Sequence, residues 1–88
     1  MAATNAQCGT PVNLTATGAI SLSPGVLLGF YVNSTSSGTI LLRDGGSGGT
    51  AISGTITPAV GWHAFPAACA VGCHATIGAT LNVTFFYQ

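Results

Sequence analysis

The sequence predicts an all-β domain, a small antiparallel β-sandwich or barrel-like module. Three observations carry that expectation. Apolar and polar residues alternate with period two over most of the chain. Turn-forming clusters separate the alternating runs: SPG at 23–25, NSTSSG at 33–38, DGGSGG at 44–49 and TPAVG at 57–61. No stretch keeps a helical period. The alanine-rich segment from Ala67 to Ala75 admits one short helical turn, because Gly72 and its β-branched neighbours oppose more.

Taken in order, the first eleven residues are small and polar and end at Pro11, which reads as an extended N-terminal arm. Residues 12–88 then form a single domain. VNLTAT sets Val12, Leu14 and Ala16 against Asn13, Thr15 and Thr17 as a first strand. The run from Val26 to Asn33 is almost wholly apolar and predicts a central strand buried on both faces. GTILLRD (38–44) follows after a turn at 33–38. TAISGTIT (50–57) comes next, across a glycine-rich hairpin tip. In the closing TLNVTFFY, Leu81, Val83, Phe85 and Tyr87 face one way, and Thr80, Asn82, Thr84 and Phe86 the other.

Charge is the extreme feature of the composition. Arg43 and Asp44 are the only formally charged side chains among 88 residues, where a soluble domain typically carries about 25%. Thr, Ser, Asn and Gly supply the wettable surface instead, and a neutral surface offers little repulsion between copies. One Arg and no Lys cannot neutralise a run of phosphates, which argues against nucleic acid and against an anionic membrane surface as partners. With 48% hydrophobic residues the chain lacks the disorder signature. A chain this short buries only about 60–65% of its unfolded surface, so partner subunits or cross-links are expected to reinforce it.

The longest apolar run, GVLLGFYV (25–32), falls well short of the roughly 20 residues that span a bilayer. MAATNAQCGTPVN has neither a basic nor an apolar signal region, so synthesis in a reducing cytosol with free thiols is expected. Three cysteines leave at least one unpaired within a monomer.

The reactive side chains concentrate in CAVGCHA, residues 69–75. Haem attachment uses C-x-x-C-H, and C-A-V-G-C-H is one residue too long. His63, Cys69, Cys73 and His74 number four candidate metal ligands, but adjacent residues of a strand point to opposite faces, so Cys73 and His74 converge only in an irregular loop. A Cys–His dyad using His63 lacks any group to orient the histidine. The lone Asp44 precedes a glycine-rich turn and reads as a turn residue. No catalytic residue, cofactor or resident metal is therefore assigned.

A Cys69–Cys73 disulfide turns on geometry. Cα atoms four apart on a strand lie about 13 Å from each other, whereas a bridge needs about 4.4–6.8 Å. The pair can close only if the chain reverses over Ala70-Val71-Gly72. Trp62, Phe65 and Phe86 are candidate interface residues, since exposed aromatics anchor subunit contacts. Trp62 also admits the alternative of a stacking platform for host glycan. The N-x-T triplets at Asn13, Asn33 and Asn82 are ordinary products of a Thr-rich chain.

GVLLGFYVNSTSSGTILLRDGGSGG, followed by TITPAVGWHAFPAACAVGCHATIGATLNVTFFY, resembles small virion structural proteins of tailed bacteriophages. The likeness spans roughly residues 25–87, and the cysteines stand outside it. The resemblance implies a non-enzymatic all-β capsid decoration (cement) protein, made in the host cytoplasm. It implies a homotrimer on the outer surface of the capsid, contacting other copies and the major capsid protein. No active-site residues are implied.

Overall fold

The structure, a computed structural model, describes residues 9–88. Its strands are β1 (Thr10–Leu14), β2 (Gly18–Ser21), β3 (Gly25–Asp44), β4 (Thr50–Ala51), β5 (Gly61–Cys69) and β6 (Cys73–Tyr87). All pairings between them are antiparallel, so the predicted all-β class holds. The expected arm lies largely outside the described residues, and Thr10 and Pro11 already belong to β1.

The two long strands are the frame. β3 pairs with β6 from Leu27↔Tyr87 to Asp44↔Cys73. Beside the first half of β3, β5 pairs with Gly25–Val32, while β1 flanks the facing half of β6. Beside the second half of β3 lie β4 and the Ile40↔Ile56 bridge, while β2 flanks the start of β6.

This frame cannot be flat. A straight strand of 20 residues would run about 66 Å, yet the longest dimension of the fold is 40 Å. The ladder bends where Ser36 and Ser37 both oppose Thr80. Ser37 and Ala79 hold φ of 56° and 57° at this corner, a left-handed conformation that non-glycine residues adopt rarely. Gly38 lets the corner close: a Cβ there would stand 2.7 Å from both the Leu81 Cβ and the Thr80 carbonyl oxygen. The sheet thus folds over itself into two layers.

The layers enclose one core. β3 contributes Leu27, Phe30 and Val32 from the first layer, with Ile40 and Leu42 from the second. β6 contributes Leu81, Val83, Phe85 and Tyr87, as its alternation predicts, together with Cys73 and Ala75. Phe30 and Phe85 are register partners with ring centroids 5.7 Å apart. Val12, Leu14, Ile52, Ile56 and Ile77 close the sides.

Three expectations are corrected. Residues 33–38 are a corner within one strand and not a hairpin turn, because both flanking runs pair with β6 and not with each other. The run from Val26 to Asn33 is buried on one face only, leaving Val26 and Tyr31 exposed. Residues 67–75, which admitted one short helical turn, instead hold the end of the edge strand β5, a three-residue connection and the start of β6. Phe65 and Pro66 fall where the register of β5 with β3 shifts, a position where proline removes no ladder hydrogen bond.

Candidate functional site

The connection from β5 to β6 is only Ala70-Val71-Gly72, and it carries the chain between the two layers. The Asp44 carboxylate, at the far end of β3, holds it. Ala70 N–H donates to Oδ2 at 2.8 Å, and Val71 and Gly72 N–H donate to Oδ1 at 2.9 and 3.2 Å. Gly45 N–H donates to the Gly72 carbonyl at 3.2 Å, tying the same two segments together. Three consecutive N–H groups around an anion form a nest. The Val71, Ala70 and Gly72 donors hold the Asp44 carboxyl below its ordinary 3.8. Asp44 is therefore more than a local turn residue, since its partners lie at least 26 positions away.

The reversal turns Cys69 and Cys73 toward the same core, where they are 3% and 1% exposed. Burial raises the Cys69 thiol, and burial followed by the proximity of Cys69 pushes Cys73 up to about 12. Both are free thiols. Tyr87 reaches the same place and donates its hydroxyl to the Ser23 carbonyl at 2.8 Å. The structure thus brings together two of the four candidate metal ligands and separates the rest. His63 stacks on Phe30 with ring centroids 5.3 Å apart, and its Nε2 lies 2.7 Å from the Ala59 carbonyl. His74 sits between Ala19 and Arg43 in the sheet, its Nδ1 buried and without a partner among the described residues. No group of three or more His, Cys, Asp or Glu converges among the described residues.

A second feature lies on the outer face of the first layer. Trp62 of β5 and Tyr31 of β3 are register partners, 52% and 44% exposed. Trp62 lies over Gly29, where a Cβ would come within 2.7 Å of the indole ring, and its ring meets Phe86 edge-on at 5.7 Å. A row of amides and hydroxyls runs beside these rings. Asn13 and Asn33 each donate to Asn82 Oδ1 (2.8 and 3.1 Å) and to Thr84 Oγ1 (3.1 Å each). Of the three predicted interface aromatics, Trp62 and Phe86 share this face. Phe65, half-buried, packs against the core instead.

Sequence reasoning missed Tyr31 because it sits within an apolar run that looked wholly buried. It missed the reach of Asp44 because no local pattern announces a partner so distant along the chain. Compared with family models, with curated proteins and with solved structures, the chain matches none.

Proposed function

We propose that this chain is a non-enzymatic structural protein of a tailed-bacteriophage virion, a capsid decoration or cement protein. It acts as a homotrimer that reinforces the head shell from the outer surface of the capsid. The observation that carries the reading is the uncharged aromatic face built by Trp62, Tyr31 and Phe86. Trp62 and Tyr31 keep about half their surface in water, and such aromatics on a chain with two charges are the usual material of subunit contacts. The 88-residue core is thin by itself, and burial against other copies and the major capsid protein would supply what it lacks. The sequence resemblance points the same way.

Sedimentation velocity of the purified protein tests the subunit reading. The wild type is expected at three times the monomer mass of 8.6 kDa, and Trp62→Ser at the monomer mass with its β-sheet circular dichroism unchanged. A strictly monomeric wild type contradicts the homotrimer.

A second reading rests on the hydrogen-bonded Asn13, Asn33, Asn82 and Thr84 row beside Trp62. An indole next to neutral amides and hydroxyls suits stacking and hydrogen bonding with a host glycan, as in a tail or spike module. Glycan-array binding that Trp62→Ser abolishes would favour this reading over the capsid one.

A further inference from the structure

We propose that Cys69 and Cys73 are an oxidisable pair that closes to an intramolecular disulfide, stapling the end of β5 in one layer to the start of β6 in the other.

The geometric obstacle that a straight strand would impose is absent. The chain reverses over three residues, and both cysteines turn into one core cluster. The reversal is also fixed before any bond forms. Asp44 holds all three connecting N–H groups, so the connection is already ordered in its reversed form. Each thiol already lies close enough to change the acidity of the other. The register agrees, because Cys69 lies opposite Gly25 and Cys73 opposite Asp44, the two ends of the folded-over β3. A bond between them would lock the seam at which the two layers meet.

Access is built in as well. A small, mainly apolar pocket lined by Ala19, Leu22, Gly45, Val71, Gly72 and Cys73 opens beside the connection. It admits a water-sized molecule, and hydrogen peroxide is little larger. The oxidation balances with peroxide as the two-electron acceptor. The Cys73 sulfur attacks one peroxide oxygen, the O–O bond breaks, and a sulfenic acid and one water result. The Cys69 sulfur then attacks the Cys73 sulfur, the S–O bond breaks, and a second water leaves. Two thiols have lost two electrons and two protons, and one peroxide has become two waters. Burial, which raises the pKa of both thiols, keeps them protonated near neutral pH. The reaction is therefore slow, which on the proposed virion reading suits a particle that outlives the reducing cell in which it was made.

The sequence supplies a clean test on the unmodified protein. Arg43 is its only tryptic site, so digestion yields residues 1–43, with Cys8, and residues 44–88, with Cys69 and Cys73. The folded protein is incubated with hydrogen peroxide, denatured, treated with iodoacetamide, digested and weighed by mass spectrometry. The expected 44–88 peptide has lost two hydrogens and takes up no alkyl group, and dithiothreitol before alkylation restores two alkylation sites. A 44–88 peptide that still takes two alkyl groups overturns the proposal, as does one joined to residues 1–43 or one carrying sulfinic acid on either cysteine.

Discussion

Replacing Phe85 with alanine is expected to cost about 3–5 kcal/mol, the range for emptying a fully buried aromatic site. Phe85 has no exposed surface, and it stands between Val12 on one side and Phe30 on the other, in the middle of the first layer. Its neighbours cannot collapse into the space, because each is held in register by the ladder. At roughly 0.05–0.15 kcal/mol per residue the whole domain holds about 4–13 kcal/mol, so the substitution removes a large share of the stability. Urea titration followed by circular dichroism checks this as a lower midpoint. Phe85→Leu, which keeps most of the volume, should lose distinctly less. An unchanged midpoint for Phe85→Ala would mean that the two layers do not close over this ring.

The second large effect is expected at Asp44. Alanine there leaves the N–H groups of Ala70, Val71 and Gly72 without their carboxylate, and the thermal midpoint at neutral pH should fall by several degrees. The pH profile separates this role from a packing role. The folded state holds the Asp44 carboxyl below its ordinary 3.8, chiefly through the Val71 and Ala70 N–H donors. A lowered folded-state value means that the unfolded chain binds the proton more readily. The stabilisation is thus complete above the ordinary value and disappears as pH falls through the lowered one. Asp44 is the only Asp or Glu in the sequence, so no other carboxylate side chain can produce that acid limb. Wild-type protein should lose thermal stability on acidification below about pH 4, and Asp44→Ala should lack this loss. An equally steep acid limb in the variant would remove the nest from the account.

Much of the fold was legible because period two is a local property. The alternation of Leu81, Val83, Phe85 and Tyr87 is reproduced residue for residue in the core, and DGGSGG is the tip between β3 and β4. The misreading of residues 33–38 has a physical cause. Residues 33–38 carry the small and polar side chains of a hairpin turn, but a sharp corner in a continuous strand needs the same chemistry. Ser37 must adopt positive φ, and Gly38 must let Leu81 approach. Whether the flanking runs pair with each other or with a strand forty residues away is a long-range choice that no local window contains.

The candidate site divides in the same way. The question of whether the chain turns back between Cys69 and Cys73 could be posed from the spacing, and the three-residue connection answers it. Its cause, the Asp44 carboxylate, belongs to another strand and carries no signal beyond a turn preference. Trp62 was legible as an exposed aromatic. Its setting, over Gly29 and against Tyr31 and Phe86, depends on β5, a strand that Pro66 and a run of alanines concealed.

The proposed capsid role is most directly tested by electron cryomicroscopy of tailed-phage particles assembled with and without the chain. The account predicts threefold density fitting this two-layered domain on the outer surface of the head, lost from particles that lack the chain. Its presence at the tail alone, or its absence from the particle, would contradict the account.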